Sequence, residues 1–522
     1  MLMKNQTQFV TVCALMVFAA LMVIVGIYSS RKAKTIDGFL LGGRKIGAWV
    51  SAFAYGTSYF SAVIFVGYAG QHGWNIGMGS MWIGVGNAVF GCLLAWLILA
   101  KRTRNMTHTI GAKTMPEFFE GRYNSKAMKI MSAVVIFVFL VPYSAAVYKG
   151  LGAMFTTVFP GISVNMWMLF IAALTAVYLV LGGYVATAYT DFIQGIIMIA
   201  GVIAMVVAVV INPVIGGFSQ IVPRLSAVEG MNGQLVSPFG GSSFKFLCVN
   251  ILLTSFGTWG LPQMVSKYYA VKDEKSIQKA TVISTAFAMI IGVGAYFIGS
   301  LSRLVLNNQL PEGGVDMVIP TTLLTVLGDS NIVTTLILAV ILILLLSASM
   351  STLSSIVLTS ASSISVDLLP EVKKNFDKSR QMLITRLLCF LFVALSYIFA
   401  TTNITIIVNI MSFSWGIVSG CFIGPYIWGI YWKKTTKAGA FAGMISGFLT
   451  VVVSTVVLTA MNLGGGTAYE AFKLASVKAP EMGVCAMAVS MIIVPVVSLF
   501  TKKFDSEHLN KVFKGDKVNA NN

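Results

Sequence analysis

"AFAYGTSYFSAVIFVGYAG", residues 52–70, is an apolar run interrupted by Gly56, Thr57, Ser58, Ser61 and Gly67. A second stretch of the same kind, "LLTSFGTWGLPQMVSKYY" (252–269), carries Gly257, Gly260 and Pro262. Proline removes a backbone donor and pushes the residue before it out of the helical region. At membrane depth such a break is tolerated only where its backbone lines a cavity or is buried in protein. Either break alone reads equally well as a packing kink. Two breaks in corresponding positions of two halves of one chain point to a binding site between internal repeats.

The rest of the chain fixes the setting. Of 522 residues, 57% are hydrophobic and only 10% are charged, against about 25% charged in a soluble domain. The expected class is an all-α polytopic membrane protein, with about thirteen transmembrane helices. The apolar spans are expected near 8–28, 47–70, 78–100, 127–158, 164–182, 185–212, 243–266, 277–305, 331–365, 381–401, 404–431, 437–461 and 482–500. The two broken stretches fall in the second and seventh spans, five apart, as two inverted five-helix repeats require.

A net charge of +18 would suit a nucleic-acid partner, but its distribution argues for topology instead. With alternate loops assigned to alternate sides, 29 of the 36 basic residues fall on one side. They run from Arg31 to Lys45, Lys101 to Lys129, Lys267 to Lys279, Lys373 to Arg386, Lys433 to Lys437 and Lys502 to Lys517. The positive-inside rule makes that side cytoplasmic, with the N-terminus outside and the C-terminus inside. The basic cluster follows the first span rather than preceding it, which fits an N-out helix better than a cleaved signal. No nucleic acid and no obligatory protein partner is expected. The expected partners are the lipid bilayer and a small-molecule solute.

Several classes find no support. The six cysteines all fall inside expected spans, and no disulfide or CxxC metal pattern exists. The three histidines are expected in loops or the tail. No phosphate loop for ATP appears, and no nucleophile–base–orienter set, so the chain is not expected to be an enzyme. No loop is long enough for a soluble module, so residues 1–522 are read as one membrane domain.

Polar groups inside the spans are few. Asp191 is the only carboxylate well within one, with Asp367 at a cytoplasmic end, Lys149 deep in a span and Arg303 near an outer end. A carboxylate at the bilayer centre costs roughly 2.5–3.5 kcal/mol on insertion scales. In "LLLSASMSTLSSIVLTSASSISVDLLP" (344–370), helical periodicity puts Ala348, Ser351, Thr352 and Ser355 on one face, with Ser354 beside them. Such a face is either a close-packing surface, its hydroxyls bonded back to their own helix, or an oxygen-rich site for a hard cation.

Four segments together resemble the sodium:solute symporter family, the group that includes the proline, pantothenate, sugar and sialic-acid symporters. They are "SRKAKTIDGFLLGGRKIG" (30–47), "GGYVATAYTDFIQG" (182–195), "SASMSTLSS" (347–355) and "GPYIWGIYWKKTTKAGAFAGMISG" (424–447). The resemblance implies a LeuT-like fold with an inverted five-helix repeat core. An extra N-terminal helix (8–28) would precede repeats at 47–212 and 243–431. Two C-terminal helices (437–500) and a cytoplasmic tail (501–522) would follow. It also implies a Na⁺ site at Thr57, Phe60 and Ala348 through main-chain oxygens and at Ser351 and Thr352 through hydroxyls. A possible second Na⁺ site would use Asp191, Ser351, Ser354 and Ser355.

The family reading implies secondary active transport by alternating access at the cell membrane, with Na⁺ as the co-transported ion. The solute is less sharply marked. "AKRTRNMTHTIGAKTMPEFFEGRY" (100–123) resembles the proline branch, whereas "TWGLPQ" (258–263) and "SRLVLNNQLPEGGVDMVIPTTL" (302–323) lean to the pantothenate branch. Proline or a similar amino acid is the first expectation, with pantothenate, a sugar or sialic acid as alternatives and a transporter-like sensor as a remote one. Tyr59, Gln71, Tyr143, Thr258 and Trp259 are the candidate solute-lining residues.

Overall fold

The computed structural model describes residues 2–30, 36–328, 331–373, 380–402, 404–464 and 466–514. Arg31, Lys32, Lys34, Lys374, Lys378 and Lys517 of the basic set lie outside the described residues. The described chain is helical, and its one β-bridge pairs Ile46 with Val271.

Helix α1 (Leu2–Ser30) precedes the first broken span, which is α2 (Ala48–Tyr59), a π-helical turn (Val63–Tyr68) and α3 (Ala69–Ile76). Next come α4 (Met81–Gly86) with π-helical continuations to Ala100, α5 (Met115–Tyr123), α6 (Lys126–Val158) and α7 (Val164–Ile211). The second broken span is α8 (Phe244–Phe256), a 3₁₀ turn (Gly257–Trp259) and α9 (Pro262–Ala270). The chain continues through α10 (Glu274–Val305), α11 (Ile332–Ser362), α12 (Gln381–Thr401), α13 (Ile407–Tyr431), α14 (Lys437–Met461), α15 (Ala479–Phe500) and α16 (Ser506–Val512).

Among the described residues, ten helices are long and apolar enough to cross a membrane, and the second broken span, bent by 44°, makes an eleventh. The remaining expected spans do not stand apart. The run 47–70 joins the next in one helical stretch, Val63–Ile110, and 164–182 contains only a shorter apolar helix, Val164–Val177. The expected gap between 182 and 185 is closed: α7 runs through it for 48 residues. Gly182 and Gly183 are the only breakers there, and about 1 kcal/mol each does not by itself end a helix.

The first break contains no proline. Phe60 is extended (φ −102°, ψ 113°), and its N–H caps Gly56. The amides freed beyond it go to hydroxyls: Ala62 N donates to Ser349 Oγ (3.1 Å) and Val63 N to Ser61 Oγ (3.2 Å). In the second break Leu261 is extended and Pro262 opens α9 at the position where its missing N–H costs nothing. The two broken spans meet at their ends, with Ile46 N donating to Ala270 O (3.2 Å) and Lys272 N to Ile46 O (3.0 Å).

Helix crossings rely on glycine. A Cβ on Gly299 of α10 would lie 2.0 Å from Ala69 O of α3, and one on Gly447 of α14 would lie 2.0 Å from Gly420 O of α13. Close backbone approach of this kind is how helices associate where no hydrophobic gain is available.

Four residues expected in loops are buried. His72 lies on α3, stacked between Tyr68 and Phe246. Arg122 donates to Gly429 O and Trp432 O, and Lys129 pairs with Glu120 at 2.8 Å. Lys267 lies on α9 with 2% of its side chain exposed. The expected span 243–266 ends one residue short of it.

Candidate functional site

The first break leaves the last carbonyls of α2 without amide partners, as any helix end does. The hydroxyl face of α11 covers them. Ser351 Oγ donates to Thr57 O (2.9 Å) and Ala348 O (3.0 Å), and Thr352 Oγ1 lies 3.2 Å from Thr57 O and 3.0 Å from Ala348 O. Two carbonyl and two hydroxyl oxygens therefore share one spot, and all four residues are fully buried. Phe60 sits at the break itself, its ring stacked on Tyr59 with centroids 4.6 Å apart. A donor set made only of neutral oxygens at a helix break suits a hard monovalent cation, which would replace the hydroxyl–carbonyl hydrogen bonds.

The second set does not converge in the same way. Ser354 Oγ turns back to Ser351 O of its own helix (2.9 Å). Ser355 Oγ instead accepts from Lys267 Nζ (2.9 Å) and pairs with Ser58 Oγ (2.8 Å). Lys267 Nζ also lies 3.6 Å from Asp191 Oδ2, and both side chains are buried. At that distance the contact is an ion pair rather than a hydrogen bond. The ammonium lies over the Tyr184 ring, 5.1 Å from its centroid. Lys267 is the residue beside this second set that sequence reading missed, because hydropathy ends the span before it and the loop count absorbs its charge.

A small cavity of about 10 Å³ lies beside the first break, lined by Tyr59, Ser61, Tyr68, Asn87, Tyr296 and Trp415 among others. It has room for one water at most, so a solute requires these side chains to move apart. Asn87 Oδ1 accepts from Thr254 Oγ1 (2.8 Å) and Ser255 Oγ (3.2 Å). Its Nδ2, and the hydroxyl of Tyr296, are buried without a protein partner.

Of the five expected solute-lining residues, Tyr59 borders this cavity and donates to Thr254 O (2.7 Å). Tyr143 stands one layer back, edge-on to Trp415 at 5.7 Å. Thr258 and Trp259 are committed to packing: Thr258 Oγ1 donates to Ser255 O (2.8 Å) and Trp259 Nε1 to Phe90 O (2.9 Å). Gln71 lies beyond Tyr68 and does not line the cavity. Asn87 and Tyr296 carried no sequence signal, since single polar residues in apolar runs are unremarked until helices bring them together.

Comparison with known proteins agrees with this architecture. Residues 39–447 match the model of the sodium:solute symporter family. A sodium/proline symporter of Staphylococcus aureus (strain JH9) is 27% identical over 507 residues, covering 95% of this chain and 94% of the relative. Among solved structures, a Na⁺-coupled sialic acid symporter in a substrate-bound outward-open state is similar with a TM-score of 0.74 at 16% identity, covering 95% of this chain and 99% of that one. MhsT in complex with L-phenylalanine is similar with a TM-score of 0.53 at 13% identity, over 86% of this chain and 99% of that one. The fold is LeuT-like, and the chain belongs to the sodium:solute symporter family.

Proposed function

We propose that this chain imports a small carboxylate-bearing solute, proline first among the candidates, by symport with Na⁺. The observation that carries this reading is the convergence of Thr57 O, Ala348 O, Ser351 Oγ and Thr352 Oγ1 between a broken helix and α11. Na⁺ held there, with the Phe60 carbonyl on the same turn, ties α2 to α11 and stiffens the turn that borders the solute cavity. Solute and ion then stabilise each other, because each orders the same backbone. The repeats at 47–212 and 243–431 rock against each other to expose the site alternately outward and inward. The N-terminus is outside and the C-terminus cytoplasmic. Each Na⁺ crossing about 100 mV contributes roughly 2.3 kcal/mol, or about fiftyfold accumulation, before its own concentration gradient is counted.

The carboxylate preference rests on the unpartnered donors Asn87 Nδ2 and Tyr296 Oη. Buried donors left unpaired cost free energy, and an anionic oxygen is their strongest partner. The relatives named sodium/proline symporter favour proline. Pantothenate and sialic acid also carry carboxylates, whereas an uncharged sugar would leave the donors weakly served.

The test is uptake of labelled proline into proteoliposomes with an inward Na⁺ gradient, against K⁺ at the same pH. Uptake that needs Na⁺ supports ion and solute together. Uptake that persists in K⁺ overturns sodium coupling in favour of protons. Absence of proline uptake with Na⁺-driven pantothenate or sialic acid uptake corrects the solute alone. Failure with all of them sinks the importer reading.

A further inference from the structure

Two of the four residues that the family resemblance offers for a second Na⁺, Asp191 and Ser355, already hold a cation belonging to the chain. Lys267 reaches from α9 into the space between α2, α7 and α11. Its ammonium donates to Ser355 Oγ (2.9 Å), which in turn meets Ser58 Oγ (2.8 Å), and it pairs with Asp191 Oδ2 at 3.6 Å. The Tyr184 ring supports it at 5.1 Å. Ser354 donates to Ser351 O of its own helix (2.9 Å). No other charged side chain in the described residues forms an ion pair with Asp191. A mobile cation at this spot would meet a like charge in a buried setting where solvent screens little. The second site therefore does not fit Na⁺.

We propose that Lys267 is a tethered internal cation that takes the place of a second sodium, so that transport couples to one Na⁺ per solute. The proposal rests on the symport reading and deepens it. Lys267 neutralises Asp191, which explains how a carboxylate is tolerated at this depth, and it cross-links three helices at a point where a second ion would otherwise do so. Unlike sodium, it cannot leave. It contributes charge neutrality to every state of the cycle and draws no energy from the Na⁺ gradient.

The experiment is equilibrium binding of ²²Na⁺ to the purified full-length chain. The native protein is expected to saturate at one Na⁺ per chain with a Hill coefficient of about one. Lys267→Ser vacates the space beside Asp191 and is expected to bind two. The double variant Lys267→Met/Asp191→Asn removes both charges together. It is expected to bind one Na⁺ with native affinity to within about twofold, as separate sites do. Two sodium ions per native chain would overturn the proposal, as would loss of Na⁺ binding in the double variant while it remains folded. The double variant and the native count decide the matter even if Lys267→Ser does not fold. A native chain that binds no Na⁺ at all fails the symport reading itself, an outcome distinct from a count of two.

Discussion

Ser351 holds its hydroxyl between two carbonyls from different helices, Thr57 O at 2.9 Å and Ala348 O at 3.0 Å. A hydroxyl that serves only packing contributes little beyond its own helix, whereas a ligand to a buried cation contributes about 1.5–3 kcal/mol. Ser351→Ala is therefore expected to raise the Na⁺ concentration for half-maximal uptake by about ten- to a hundredfold. Solute affinity at saturating Na⁺ should change little. An unchanged Na⁺ dependence would return Ser351 to the packing role. At this scale the shared face of Ser351 and Thr352 was legible in the sequence from helical periodicity, whereas their role as Na⁺ ligands is implied by the family resemblance alone. Asp191 was legible because its burial is costly. Lys267 was not: one residue past an apolar run, a lysine looks the same whether it turns outward to headgroups or inward to a carboxylate.

The elements follow from two devices, breaks and glycine contacts. The first break has no proline to announce it, and it persists because hydroxyls of Ser61, Ser349, Ser351 and Thr352 take up the freed backbone groups. The second is announced by Pro262 and by Gly260, where a Cβ would sit 2.9 Å from Ser419. The crossing of α3 and α10 is equally strict. Gly299→Ala would drive a methyl group into the Ala69 backbone, which cannot swing aside as a side chain can. The expected loss is about 1–3 kcal/mol, read as a lower thermal unfolding midpoint of the purified protein. Gly161→Ala, with nothing within 4 Å of its Cβ, is the control expected to leave that midpoint unchanged. Equal behaviour of the two variants would show that the crossing is looser than its geometry. The glycines are visible in the sequence, but their partners are not, since each contact joins residues more than twenty positions apart.

For the whole molecule, the orientation in the membrane is proposed from charge. With the thirteen expected spans, 29 of the 36 basic residues fall in one set of alternate loops, and on that distribution we propose, by the positive-inside rule, a cytoplasmic C-terminus. A C-terminal green fluorescent protein fusion is expected to fluoresce, and a C-terminal alkaline phosphatase fusion to remain inactive; the reverse pattern would invert the topology. Part of that charge also serves the fold. Arg122 fastens α5 to the end of α13 through Gly429 O (2.8 Å), and its ring contacts reach Phe504 and Phe513 in the tail. The class, the helical content, the two breaks and the hydroxyl face could be read from the sequence by itself, because apolar run length, periodicity and proline or glycine content act locally along the chain. Only the tertiary structure decided which polar groups meet. The pairing of Lys267 with Asp191 and the donors around the solute cavity arise from helix packing between distant segments, and that geometry leaves no local trace in composition or spacing.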